Sequence, residues 1–442
     1  MPSTVNPAAP APVPPDEVLD LVGIGFGPGN LGLAIAVGEH PEPVTARFLE
    51  RQECFGWHRG MLIPDARMQV SFVKDLATVR NPTSSFGFLS YLGERGRLVD
   101  FLNRQTFFPT RLEYHDYLNW AASRLADHVD YGTEVTEITP GRPDAGGPVL
   151  EITARRGGHP VRYRARAVVV ATGLTPHLPP GVRLDERVWH NRDLVPNVAR
   201  LAADGAPRRF VVVGAGQSAA ESVEYLHRTF ADAEVHAVFQ RWGYSPADDS
   251  AFANRVFDPD AAHAFHRSPA EVRTRIVERH RNTNYSVVDP DLIDTLYEKH
   301  YAERVAGAER LLFHPMSEVT GVADTGDGLA VTVASGVEGT STVLDADVIV
   351  YATGYRSGDP TRFLRSITAA RDDQGRVRLG ADYRIEVDGT DAPLYVQGAT
   401  EHTHGLASTL LSNIATRSGE ILDSVLEHRV ALAAADQPLM RL

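Results

Sequence analysis

Glycines recur at alternate positions after an apolar run in two places, VGIGFGPGN at 22–30 and VVGAGQSA at 212–219. Glycine allows the tight turn and the close approach of a diphosphate to backbone, and a helix opening behind the turn offers free N–H groups and a favourable dipole. Gly23, Gly25 and Gly27 meet those needs in the first stretch, and Gly214, Gly216, Gln217, Ser218 and Ala219, as G-x-G-x-x-A, in the second. Pro28 stands where a third small residue belongs, and is expected at the first helical position, where its missing N–H is not needed and its fixed φ suits the helix. The next apolar run ends in Glu50 in the first unit, a carboxylate placed to accept from a ribose diol. In the second unit it ends in Arg241 with no acid beside it, which suits a 2′-phosphate. Two dinucleotides follow from this, FAD on the first unit and NADPH on the second. The lone cysteine, Cys54, leaves no C-x-x-C pair, so electrons are expected to pass to O2 or a small acceptor rather than a disulfide.

Those turns need strand–turn–helix–strand units, and the pattern supplies them: an apolar run at 18–22, small residues at 31–37 and VTARFLE at 44–50, then the same order at 209–230 and 234–241. Each unit is followed by a buried-strand pattern ending in Ala-Thr-Gly, ARAVVVATGL at 165–174 and ADVIVYATGY at 346–355, which puts Thr353 and Gly354 in the cofactor set. If the second returns the chain to the first sheet, the FAD domain is discontinuous, 16–200 with 345–442. The NADPH domain is then 201–344, with 245–305 as a substrate lobe. The fold class expected is α/β, two Rossmann-like dinucleotide-binding domains with a smaller, mainly helical substrate-binding lobe.

With 442 residues, 43% hydrophobic and 23% charged, the composition is that of a soluble protein of two or three domains. A net charge of −13 disfavours nucleic acid and anionic lipid as partners. The first fifteen residues hold six prolines and no Lys or Arg, which reads as an extended, disordered tail rather than a targeting segment, and the chain is placed in a reducing, cytoplasmic compartment. His402 and His404 in HTHG have no third ligand nearby, so no metal is expected. Trp57 and His58 either line the flavin or cap the domain, and Asp248 and Asp249 serve either as an acid/base pair or in a loop or helix-cap role.

Four further stretches, MQVSFVKDLATVRNPTSSFGFLSYL (68–92), DDSAFANRVFDP (248–259), NTNYSVVD (282–289) and TEHTHGLASTLLSNIATRSGEIL (400–422), closely resemble segments of the flavin-dependent L-ornithine N5-monooxygenases of siderophore and related peptide biosynthesis. In that family Pro after the glycine turn is usual. The resemblance implies N-hydroxylation of the L-ornithine side-chain amine by a C4a-hydroperoxyflavin, with FAD, NADPH and O2, in a homo-oligomer that is often a tetramer. It assigns Lys74 to the substrate carboxylate, Asn254 and Asn284 to the amino acid, and Ser412 to its tail, while Tyr285 serves either as a substrate contact or as a packing residue. Gln69 is placed against flavin and nicotinamide, so that Gln69, Asn284 and Ser412 flank the reacting centre. His404, Gly405 and Leu406 are placed beside the flavin, and Arg192 near the NADPH phosphate. Lysine N6-hydroxylation, diamine N-hydroxylation and a plain NADPH:flavin electron-transfer protein stay open beside it.

Overall fold

The computed structural model describes residues 13, 14, 16–204 and 207–435. Most of the proline-rich stretch therefore lies outside the described residues; of its described part, Val13 packs partly buried against the core that contains Leu19 and Val170.

Two sheets organise the chain. In the first, the strand Val18–Ile24 pairs in parallel with Ala46–Leu49 on one side and with His159–Val170 on the other, in register Val22↔Arg47 and Val22↔Val168. Val129–Asp130 extends one edge, Leu394–Val396 joins His159–Val170 in parallel, and the hairpin partners Leu150–Arg156 and Thr133–Pro140 complete the other edge antiparallel. The second sheet is parallel throughout, in the order Leu311–His314, Glu234–Val238, Arg209–Val213, Val348–Tyr351, Val188–His190. Its central strands are unbroken apolar runs because they are covered on both faces: Phe210, Val211, Val212, Ile349 and Val350 have no exposed surface. A separate antiparallel sheet, Ser317–Asp324, Leu329–Ser335 and Ser341–Ala346, packs beside it.

This pairing corrects the expected boundaries. Val348–Tyr351 lies in the second sheet, not the first, and so does Val188–His190, ahead of the expected start at 201. Parallel pairing decides it: Val350 is opposite Val212 and Trp189, while the next strand to join the first sheet is Leu394–Val396, after a single bridge from Leu364 to Ile138 at its edge. Each sheet thus carries its own Ala-Thr-Gly strand end.

The stretch between Glu234–Val238 and Leu311–His314 is helical, as expected for the lobe: Pro259–Arg267, Ala270–Arg279 and Pro290–Ala306, joined by short turns. No helix among the described residues is long and apolar enough to cross a membrane.

Candidate active site

The two glycine turns have the same construction. Gly25 N donates to Leu49 O at 2.8 Å and Gly214 N to Val238 O at 3.0 Å. Gly25 has φ +84° and Gly214 φ +143°, and a side chain on either would strike the carbonyl oxygen of its own Ala-Thr-Gly alanine, Ala171 or Ala352. Gly27 and Gly216 are the N-caps, and Pro28 and Gln217 open the helices Pro28–Glu39 and Gln217–Thr229. Neither cap supplies a side-chain acceptor, so the first-turn N–H groups stay available for an anion.

Matching the turns shifts the first motif by two residues, to Gly25-x-Gly27-x-x-Asn30. Gly23 is therefore not a phosphate contact. It lies inside the strand, where a Cβ would overlap the Phe48 ring and crowd the Asn30 amide. Asn30 fills the third position and ties the turn down, donating through Nδ2 to Gly25 O at 2.7 Å and accepting at Oδ1 from Gln397. Ala219, its counterpart, is wholly buried and packs against Gly214, a helix-seating role rather than a ligand contact. Glu50 is buried and accepts from Phe26 N at 2.7 Å and Gln52 N at 2.9 Å, which fixes its carboxylate on the turn. These groups fit a dinucleotide at each turn: helix-start amides without a side-chain cap, open space where a Cβ on Gly27 would point, and an acceptor or cation beyond.

Between the sheets and the helical lobe opens a cleft of ≈ 2430 Å³. It brings together Gln69, Lys74, Asn254, Asn284, Tyr285 and Ser412 from four distant stretches, and with them Trp57, His58, Gly214, Gly216, Gln217, Ser218, Arg241, Thr353 and Gly354. Gly25, Gly27, Pro28 and Glu50 do not line it. Arg241 is held by Ser245 Oγ (3.2 Å) and Ser286 O (3.0 Å). Glu318 also lines the cleft and accepts from Gln240, Arg241's neighbour in the chain, at 2.7 Å.

Lys74 owes its place to its neighbour. Asp75, 1% exposed, accepts from Ala77 N, Thr78 N, Thr78 Oγ1 and Phe88 N at 2.7–2.9 Å, which closes the loop that presents Lys74. Burial raises the Asp75 carboxyl above its ordinary range, against the pull of those four donors. Asn254 spends its Nδ2 on Asp249 O at 2.7 Å. Tyr285 donates its hydroxyl to Glu401, and burial followed by that carboxylate pushes the phenol well up. Ser412 is 5% exposed, and its Oγ has no hydrogen-bond partner, a polar group left for something in the cleft.

Four residues expected near the cofactors, His404, Gly405, Leu406 and Arg192, do not line this cleft. His404 is 2% exposed, stacks on Tyr383 at 4.0 Å, and has Nδ1 on Thr403 Oγ1 and Nε2 on Ala381 O. Gly405 faces the Phe265 ring, and Leu406 is buried with Phe257 and Ala407. These residues pack against the helical lobe, where the apolar faces of Phe257 and Phe265 land on Leu406 and Gly405. Arg192 turns to its own neighbour Asp193 at 3.2 Å and does not line the cleft. His402 lines it but gives Nε2 to Val377 O at 2.7 Å.

Burial, partly offset by the Ala381 carbonyl, drives the His404 imidazole down to about 3. The unfolded chain takes up this proton near pH 6.5 while the folded one does not, so stability falls as pH drops from about 6.5 towards 4 and is unaffected above it. In denaturant titrations at stepped pH, His404→Phe is expected to lose about 1.4 kcal/mol per pH unit less than the parent over pH 6 to 4. An unchanged acid limb would mean that His404 protonates in the fold.

Sequence reasoning passed over Asp75, Arg111, Glu221, Asp289 and Glu401. Arg111 holds Glu221 at 2.9 and 2.8 Å through two nitrogens, across the gap between the two sheets. No spacing rule links residues 110 apart, and Asp289 and Glu401 stand in the resembling stretches NTNYSVVD and TEHTHG without being singled out there.

Comparison with known proteins agrees with this geometry. Residues 17–357 match the family described as L-lysine 6-monooxygenase/L-ornithine 5-monooxygenase. An L-ornithine N(5)-oxygenase of Arthrobotrys oligospora is 40% identical over 434 residues, 93% of this chain and 88% of that one. Among solved structures, the ornithine N-hydroxylase of Kutzneria sp. 744, with reduced FAD, NADP+ and L-ornithine, superposes with a TM-score of 0.89 at 45% identity, covering 93% of this chain and 100% of that one. The L-lysine 6-monooxygenase of Pseudomonas syringae does so at 0.79 and 30% identity, over 93% and 99%. With two glycine turns in the same chain, these matches identify it as a flavoprotein monooxygenase of the L-lysine 6-monooxygenase/L-ornithine 5-monooxygenase family.

Proposed function

We propose that this protein is an L-ornithine N5-monooxygenase, using FAD, NADPH and O2 to make N5-hydroxy-L-ornithine for a siderophore or related peptide product. The observation that carries the proposal is the meeting of Lys74, Asn254, Asn284 and Ser412 in the cleft that also holds the second glycine turn. FAD and NADPH, when bound, supply hydride transfer and oxygen activation. Gly25, Gly27, Pro28 and Glu50 hold the FAD, with Trp57 and His58 toward the cleft; Gly214, Gly216, Gln217, Ser218, Thr353, Gly354 and Arg241 hold the NADPH. The FAD unit then comprises 16–187 and 352–435, and the NADPH unit 188–351, with 245–305 as the substrate lobe.

The chain's own task is to bind, orient and dry the substrate. Lys74, which pairs with no carboxylate among the described residues, takes the α-carboxylate. Asn284, Asn254 and Tyr285 hold the amino-acid head without adding a formal positive charge, and Ser412 Oγ takes the tail. The side-chain amine must lose a proton to become nucleophilic, which costs roughly 3 kcal/mol at pH 8 from a pKa of ~10.4. An apolar surround lowers that cost by disfavouring the ammonium, so no strong base is required. Lys74 thereby selects chain length: the distance from its ammonium to the reaction centre decides which amine arrives. A cytoplasmic homotetramer is the assembly that the family resemblance favours.

Incubation of the FAD-loaded protein with L-ornithine, NADPH and ¹⁸O2 should yield ornithine carrying one ¹⁸O on the side-chain nitrogen. NADPH oxidation without labelled product would instead support the electron-transfer protein. Arg241→Ala should raise the KM for NADPH about tenfold and leave that for NADH within about twofold, as expected for one charge-assisted phosphate contact. Equal losses with both nucleotides would remove Arg241 from the 2′-phosphate.

A further inference from the structure

We propose that Asp289 is a positioning residue that locks the side-chain amide of Gln69 in one orientation, with Oε1 facing the cleft as a hydrogen-bond acceptor for the nicotinamide half of NADP(H). Gln69 Nε2 donates to Asp289 Oδ1 at 2.8 Å. The other carboxylate oxygen, Oδ2, accepts from Gln217 Nε2 at 3.1 Å, and Asp289 N donates to Gln217 Oε1 at 2.8 Å. An ionised carboxylate accepts only, so both glutamines must turn their NH2 groups towards it. Gln69 is then left with its carbonyl on the opposite side of the same planar amide.

Asp289 can hold that orientation because it is itself held. It stands at the N-cap of Pro290–Ala306, and its partner Gln217 opens the second nucleotide helix and also reaches Glu221 Oε1 at 3.0 Å. Glu221 is buried and paired with Arg111, whose Nη1 also donates to Met61 O at 3.0 Å. Two distant stretches, through Gln69 and Gln217, converge on the Asp289 carboxylate, and both side chains line the cleft. A network this connected fixes a rotamer that loop packing alone would leave free.

The inference rests on NADPH occupying the cleft, and a double-mutant cycle separates it from that premise. The dissociation constant of NADP+ is measured by calorimetry on the oxidised FAD-loaded protein for the parent, Asp289→Asn, Gln69→Ala and the double variant. Asparagine offers one carbonyl to two NH2 donors, so one glutamine must flip or part. Each single change is expected to weaken NADP+ about tenfold, and the double no more than about twofold beyond Gln69→Ala. Adenosine 2′,5′-bisphosphate, which lacks the nicotinamide, should bind all four alike. If Asp289→Asn does not accumulate as holoenzyme, Asp289→Ser is put through the same cycle. Independent, multiplying losses, equal losses with the nicotinamide-free probe, or an unchanged constant in the Asp289 variant would overturn the clamp. A non-multiplying cycle in a protein that hydroxylates no amine would leave the clamp standing and sink the proposed function instead.

Discussion

Replacing Lys74 by alanine is expected to raise the KM for L-ornithine about 100-fold while kcat changes by less than about threefold. The size follows from one charge-assisted hydrogen-bonded pair, ~2.7 kcal/mol when its cationic half is removed, and the split from its location. A contact to the carboxylate, remote from the reacting nitrogen, is made equally in ground and transition states, so its loss appears in KM. Putrescine, with no carboxylate, is the control: its KM should be the same in both proteins. Steady-state assays of hydroxylamine product check this, and an unchanged KM for ornithine would remove Lys74 from the carboxylate.

The second large effect is on stability. Asp75→Ala is expected to cost about 3–5 kcal/mol, because three backbone N–H groups, buried at Ala77 and Phe88 and half-buried at Thr78, lose their acceptor together. Asp75→Asn keeps an acceptor but turns an NH2 towards donors, and should lose less. The pH dependence distinguishes the two causes. Because burial raises the Asp75 carboxyl, its linked contribution is greatest below the unfolded value near 3.8 and is lost as pH rises through the folded one. The gap between parent and Asp75→Asn should therefore narrow as the carboxyl ionises, which denaturant midpoints at pH 4 and 7 would show. Loss below about 1 kcal/mol in Asp75→Ala would mean that the loop carrying Lys74 has other supports.

Much of this was legible in the chain because it is locally encoded. Two apolar runs leading into glycines, a proline that can only begin a helix, and Ala-Thr-Gly strand ends specify two nucleotide folds without reference to distant contacts. The errors share one cause, which is that a linear pattern does not say where a strand ends or which sheet it enters. Gly23 and Gly25 are equivalent in spacing, and only the carbonyl of Ala171 against Gly25 distinguishes the turn from the strand. Val348–Tyr351 reads as a buried strand in either sheet until its pairing with Arg209–Val213 is seen. His404 looks like a ligand by type, and Tyr383 and Ala381, some twenty residues away in the chain, make it a core residue. The carboxylates that organise the cleft, Asp75, Glu221 and Asp289, are the least legible. Their partners are backbone amides or side chains brought in by tertiary folding, and an isolated Asp or Glu in sequence carries no mark of that.

The central claim is that this cleft hydroxylates the side-chain amine of an amino acid of ornithine length. The most direct test is kcat/KM for N-hydroxylated product across L-ornithine, L-lysine, putrescine and cadaverine, with FAD, NADPH and O2 held constant. Ornithine should lead every other amine by at least about tenfold, the discrimination that one methylene or one paired carboxylate provides. Lysine or a diamine at or above the ornithine value, or no hydroxylated amine at all, would contradict it.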